Sequence, residues 1–245
     1  MKLGKKPFVA SAKDFQLATV EVAMPAMPKT PFGYGTIFSD WGMLGNDNVG
    51  DCAVAGPDHE VMLWNKLAKH PVEFTTANTL SDYSAITGYD PNDPNTDQGA
   101  YVRDVYNYRR TTGLIDKVGK RHKIEAFVQI DAKDWEMMIT CVWTFGCVGM
   151  GFEVPDSIWD QIGGIWTVVP GSQNIGGHYV PVVGTQEPQK ECSVVTWGKK
   201  QRMSREFYEA YNDEAWVPLT KESLLPAANV RHIDWTTLSL QLASL

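Results

Sequence analysis

The periodicity of this chain changes near residue 124, and that change restricts the folds open to it. Before it the recurrent signal is helical. Residues 52–69 carry Val54, Val61, Leu63, Trp64 and Leu67 at roughly helical spacing behind Asp51, a good N-cap. Pro57 falls just past the N–H groups that a helix start leaves free, so a kink or a looser first turn is expected there. Residues 81–87 read as a short helix, and 101–111 as another, closed by Gly113. After residue 124 the apolar runs shorten. Residues 124–130, 146–152, 178–183 and 193–197 have strand composition, 166–169 is a short apolar run, 134–145 and 204–211 read as helices, and 214–219 as extended. Helices first and strands second predict an α+β fold with a helical subdomain over 46–123 and a mainly β subdomain over 124–245, the latter ending in a C-terminal extension.

Residues 1–45 fit neither half. Pro25, Pro28 and Pro31 push their predecessors towards extended geometry, so the segment is expected to wrap over the body as an arm. Phe8, Phe15, Val20, Val22, Met24, Met27 and Phe32 would anchor it. A chain of 245 residues suits one large domain or two small ones sharing an interface.

Charge and cysteine usage exclude several classes of function. A net charge of -7, scattered along the chain, argues against nucleic acid as the main partner. No apolar run reaches membrane-spanning length, and no apolar core follows Lys2, Lys5 and Lys6, so neither a membrane span nor a signal peptide is expected. The four cysteines form no C-x-x-C pair, which offers neither a zinc ribbon nor a thioredoxin motif. A reducing, cytoplasmic setting follows, with no cofactor and no metal. The acidic loop Asp90, Asn92, Asp93, Asn95, Asp97 lacks the glycine and glutamate of a calcium-binding EF-hand and reads as a cluster of solvated turns. Lys117, Lys120, Arg121, His122 and Lys123 read as a solvated connector between the halves, and Cys141 and Cys147 as buried thiols.

Chemistry is concentrated at two places. The polar stretch Gly45-Asn46-Asp47-Asn48-Val49-Gly50-Asp51 delivers Cys52 to the start of a helix. Backbone N–H groups at a helix N-terminus carry partial positive charge and favour thiolate over thiol. A single cysteine there is more often structural than reactive, unless a histidine reaches it. His178 meets that need, because it opens an apolar strand behind Gly176-Gly177, with its ring placed to face a cleft. His59 lies two helical turns beyond Cys52 and is expected to be out of reach.

Four segments, in order, give the chain a resemblance to the papain-like cysteine peptidases. Asn46 to Cys52 is similar to that family's Gln-Gly-x-x-Gly-x-Cys block, with Cys52 at the nucleophile, Gly50 at the glycine before it and Asn46 at the oxyanion-hole glutamine. Asp97-Gln98-Gly99-Ala100-Tyr101 resembles its Cys-Asn-Gly-Gly segment, and His178-Tyr179-Val180-Pro181-Val182-Val183-Gly184 its His-Ala-Val-x-x-x-Gly strand. Val195-Thr196-Trp197-Gly198 is similar to Asn-Ser-Trp-Gly.

The resemblance implies a helical left subdomain carrying Cys52 and a β-barrel-like right subdomain carrying His178, with the active site in the cleft between them. It also implies departures. Val195 stands where the family has the asparagine that orients the histidine, and Thr196 would point to the opposite strand face. Asn46 is one methylene shorter than glutamine. Asp51 puts a carboxylate beside the thiol and opposes its ionisation. The family's disulfide cysteines are replaced by Val49 and Asp97, and no segment of residues 1–45 matches its inhibitory propeptide.

Two functions follow. One is hydrolysis of a peptide or amide bond in a peptide or protein substrate, with Cys52 as nucleophile, His178 as base and Asn46 as oxyanion donor. The other is a catalytically silent papain-like fold serving as a structural or binding module in a viral or host-associated assembly, virion included, with the N-terminal arm as its contact to an assembly partner.

Overall fold

The computed structural model describes residues 1–12, 14–17 and 24–222. Val20, Val22 and the C-terminal extension beyond residue 222 lie outside the described residues. After a short strand β1 (Phe32–Gly33), the helical half is built around α1 (Cys52–Leu67), which is buried without interruption from Cys52 to Asn65. A helix buried on all sides is a central one, packed from several directions. It runs through Pro57 without a break. Its first turn is tight, because the Asp51 carbonyl accepts from both Val54 N–H (2.7 Å) and Ala55 N–H (3.0 Å).

The helices α2 (Thr76–Thr87) and α3 (Val102–Thr111) pack against α1. α2 starts a turn and a half before the expected Ser81, because Thr75 and Asn78 form a reciprocal capping box. A hairpin of β2 (Leu114–Ile115) and β3 (Arg121–His122) leads to the β half, and it makes the basic connector less solvated than expected. His122 is buried, with its ring nitrogens at Asp116 and Glu222, and Arg121 pairs with Asp82.

The second half contains β4 (Ala126–Ile130), α4 (Trp135–Phe145), β5 (Val148–Pro155), β6 (Ile165–Trp166), β7 (Asn174–Thr185), β8 (Glu191–Thr196), β9 (Lys199–Ser204), α5 (Arg205–Tyr211) and β10 (Asn212–Leu219). Among the described residues its strands lie in the order β4-β10-β5-β7-β8-β9-β6, an open path with no closed barrel, and β1 adds to β7. The Asp134 side chain caps α4 and the Ser204 hydroxyl caps α5. β9 was not expected from its polar composition. It forms because Trp197 (φ 45°) and Gly198 (φ 71°) adopt the left-handed geometry of a two-residue hairpin turn, and Thr196 then pairs with Lys199.

The core divides along this architecture. One part lies within the β half and includes Val128, Trp135, Met138, Val180, Val182, Val194 and Phe207. The other joins α1 to the sheet and includes Val54, Leu63, Trp64, Tyr106, Tyr179, Val183, Val195 and Trp216. Alternate residues of β7 serve different cores, as the two-residue period of a strand requires. Among the described residues no helix is long and apolar enough to cross a membrane.

Candidate active site

Cys52 stands at the first position of α1, where its own N–H has no partner within the helix. The loop that delivers it is closed by its own backbone. Asn48 and Val49 N–H donate to the Gly45 carbonyl (3.0 and 2.9 Å), and the Asn46 side-chain amide donates to the Val49 carbonyl (3.0 Å). The Asp97 carboxylate anchors it from outside, accepting from Gly50 N–H (2.9 Å) and Tyr83 OH (2.7 Å). Asp97 therefore leaves the acidic turn cluster and fastens the Cys52 loop to the segment before α3. Those are the two segments that the family resemblance expects a disulfide to join. Asp90 and Asp93, by contrast, cap turns of their own, accepting from Asn92 and Asn95.

On the opposite wall, His178 enters from β7. Its Nε2 is 2.7 Å from Thr196 Oγ1, its ring stacks on Trp197 at 4.5 Å between centroids, and Phe152 meets it edge-on at 5.9 Å. The expectation that Thr196 points away from the histidine is incorrect. Val194 lies opposite Val182, and the register shifts between Val182 and Gly184, so Val182, Val180 and His178 share a face with Val194 and Thr196. Val195 turns the other way, into the core that contains Cys52 and Tyr179. A count by twos from that register would have identified Thr196.

Cys52, His178 and Asn46 line one cavity, together with Gly56, His59, Tyr179, Thr196 and Trp197. Its volume is about 10 Å³, close to the minimum for one water. His59 also lines the cavity, because Cys52, Gly56 and His59 follow one face of α1, but neither of its ring nitrogens is hydrogen-bonded to Cys52. Its Nε2 is bonded to the Gly42 carbonyl at 3.0 Å. His178 Nδ1 is buried with no hydrogen-bond partner, so the imidazole and thiol are neighbours without being bonded.

Residues 1–6 of the expected arm run through the cleft beside this cavity. Gly4 and Lys5 N–H donate to the Gly177 carbonyl (3.2 and 3.1 Å) on the histidine wall. Ala100 N–H donates to the Gly4 carbonyl (2.8 Å) and Lys6 N–H to the Ala100 carbonyl (2.9 Å) on the other. Lys2 N–H donates to the Asn46 carbonyl (2.9 Å), and Trp197 Nε1 donates to the Lys2 carbonyl (3.3 Å). Gly4 must be glycine, since a Cβ would lie 1.7 Å from the Gly50 carbonyl oxygen. Further along, Phe8 packs on the helical core, and Met24, Met27 and Phe32 pack on the β core.

Burial sets the charge states. Desolvation pushes the Cys52 thiol up to about 12, with Asp51 adding to the rise, and nearby backbone N–H groups of Tyr179 and Gly4 offset only part. Desolvation lowers His178 to about 3 and His59 to about 4. Asp51 is raised to about 8, chiefly by burial. The Asn46 amide lies near enough to moderate that rise, yet neither Asp51 oxygen accepts a hydrogen bond of ordinary geometry. Its side chain also leaves the N-cap bond unmade. With residues 1–6 in place, the site holds a neutral thiol and a neutral imidazole.

This architecture, with a buried helix presenting a cysteine to a sheet presenting a histidine, is the papain-like fold. Solved structures with the same fold include xylellain, a cysteine protease from Xylella fastidiosa. It is 18% identical, with a TM-score of 0.63 over 89% of this chain and 96% of that one. Procathepsin B from Trypanosoma congolense is 12% identical, with a TM-score of 0.59 over 89% and 85% of the two chains. Digestive procathepsin L2 from Tenebrio molitor larval midgut is 18% identical, with a TM-score of 0.53 over 81% and 69%. No family model and no curated protein matches the sequence itself.

Proposed function

We propose that this chain is a cysteine hydrolase of peptide bonds whose cleft is closed by its own N-terminal segment. The observation that carries this reading is the segment itself. An extended polypeptide lies directly over Cys52 and His178, held by main-chain hydrogen bonds to Gly177 on one wall and Ala100 on the other. Main-chain bonds of this kind hold an extended peptide, here with glycine where the chain passes Gly50, which fits a cleft that presents a peptide to the thiol.

Once the segment leaves, water and substrate reach the site and the desolvation that holds Cys52 neutral is relieved. The Cys52 proton passes to His178 Nδ1, and Nε2–H donates to Thr196 Oγ1, which fixes the ring in the orienting role assigned elsewhere to asparagine. The thiolate attacks the carbonyl carbon. The oxyanion is met by the Cys52 N–H and by the Asn46 amide hydrogen that Val49 does not use. The C–N bond breaks, the amine takes the proton from His178, and a thioester remains. Water then gives a proton to His178, attacks the thioester, and releases the acid and the thiol.

A second reading, a silent papain-like module in an assembly, is favoured by the buried, unpaired Asp51 carboxyl beside a protonated thiol. Two measurements separate the readings. Peptide hydrolysis that appears when residues 1–6 are displaced, and disappears in Cys52→Ala and His178→Ala, supports the hydrolase. Cys52 alkylation in the opened protein that is no faster than in the denatured chain, and unchanged by His178→Ala, supports the silent module.

A further inference from the structure

Lys5 occupies a site built to fit it. Among the described residues, the only ion pairs made by segment 1–6 are those of Lys5. Its side chain is 1% exposed, and Nζ lies 2.7 Å from Asp213 Oδ2 and 3.2 Å from Glu214 Oε1. A third acceptor, the Lys6 carbonyl, is at 3.2 Å. The stem lies over Gly151, where a Cβ would stand 2.2 Å from Lys5 Cε, so the missing side chain makes room for the lysine. Glu214 is held independently of its guest, because its Oε2 accepts from Trp216 Nε1 at 2.7 Å.

The slot differs in kind from the rest of the cleft. Bonds to Gly177 and Ala100 read the main chain, and at Gly4 the cleft only excludes a side chain, whereas this pocket receives one. An ammonium has three donors on a slender stem, and three acceptors converge on it here. An apolar side chain would leave the buried Glu214 and its neighbour Asp213 without a counter-charge.

We propose that Gly151, Asp213 and Glu214 form a lysine-selective subsite of the cleft, filled here by Lys5 and open to a lysine of another polypeptide once the N-terminal segment leaves. That the other polypeptide is a substrate rests on the hydrolase reading; the recognition of lysine does not.

The test uses the full chain and reads the alkylation rate of Cys52 by iodoacetamide, resolved by mass spectrometry. Lys5→Met keeps the length of the stem and removes the charge, and it should raise the rate at least tenfold. The double variant Asp213→Asn, Glu214→Gln, with Lys5 intact, should raise it comparably, and near-ultraviolet circular dichroism shows that each variant remains folded. The hexapeptide Met-Lys-Leu-Gly-Lys-Lys, added to the Lys5→Met chain, should restore protection at a concentration at least tenfold below that needed by the same peptide with norleucine at its fifth position. Placing the Asp213→Asn and Glu214→Gln changes in the Lys5→Met chain should erase that difference. Equal protection by the two peptides overturns the proposal, as does an unchanged rate in folded Lys5→Met. If the lysine preference holds but the opened chain cleaves no peptide, the subsite stands and the hydrolase reading falls.

Discussion

Charge is buried at two places beside the cleft, and the two are built differently. Glu60 of α1 and Arg109 of α3 meet at 2.8 Å, both with fully buried side chains. Tyr179 of β7 donates to Glu60, Tyr106 OH lies 2.9 Å from Tyr179 OH, and the guanidinium lies 4.8 Å from the centre of the Tyr106 ring. Every partner comes from the body of the fold, so this pair joins the helices to the sheet permanently. At the second place Asp213 and Glu214 belong to the body, but Lys5 comes from a terminal segment, and the Asp213 side chain is 24% exposed. The same chemistry serves as a fixture in one place and as a latch in the other. Charge buried inside the fold is costly to disturb, whereas charge buried by a removable segment can regain water when the segment leaves.

The largest predicted effect breaks the fixture. Arg109→Met leaves Glu60 buried without its counter-charge and should cost about 3–5 kcal/mol, read as a lower urea midpoint at unchanged slope. Adding Glu60→Gln should recover much of that loss, because the cost lies in the orphaned charge rather than in the missing bond. Asp97→Ala comes next. It strands Gly50 N–H and Tyr83 OH, should cost about 2–3 kcal/mol by the worth of hydrogen bonds to a charged group, and should loosen the Cys52 loop enough to speed its alkylation. Lys5→Met should cost less, about 1–2 kcal/mol, since a partly exposed site can rehydrate, even though it changes access to Cys52 the most. A fixture and a latch thus differ in which measurement moves.

The remaining effects are in the dependence on pH and are read as slopes, each gradual over several pH units. Asp51 holds a proton in the folded chain up to about pH 8, while an ordinary aspartate releases it near 3.8. Its contribution to stability is full below about pH 4 and is lost as pH rises towards 8. Asp51→Asn should remove that decline, whose slope is at most about 1.4 kcal/mol per pH unit. The buried histidines act in the opposite sense. His178 and His59 remain neutral down to about 3 and 4, whereas the unfolded residues protonate near 6.5. Their contribution is full above 6.5 and is lost as pH falls through that window, so His59→Gln should soften the acid limb of a melting-temperature profile.

Much of the fold was legible before any coordinates. The helices at Cys52, Tyr101, Asp134 and Ser204 appear within a residue or two of expectation, because caps and apolar spacing are local signals. The misses have specific causes. β9 was hidden by Lys199, Lys200 and Arg202, whose strand state depends on the turn at Trp197-Gly198 rather than on their own propensity. Thr196 was set aside because the residue equivalent to the orienting asparagine was sought at Val195. The choice between them depends on the irregular register of β7 on β8, which is a property of two strands together.

By itself, the sequence determined the α+β order of elements, the junction that places Cys52 at a helix start, and a histidine on a strand, because each is written in contiguous residues, although that strand begins at Asn174 rather than at His178. Only the tertiary structure decided three matters: that Asp97 ties down the Cys52 loop, that Thr196 rather than Val195 meets His178, and that residues 1–6 lie inside the cleft rather than around it. Each depends on partners tens to hundreds of residues apart, with Lys5 reaching Asp213 across 208 positions. Contacts of that span are selected by packing and by the need to satisfy buried polar groups, and neither is expressed in any local pattern.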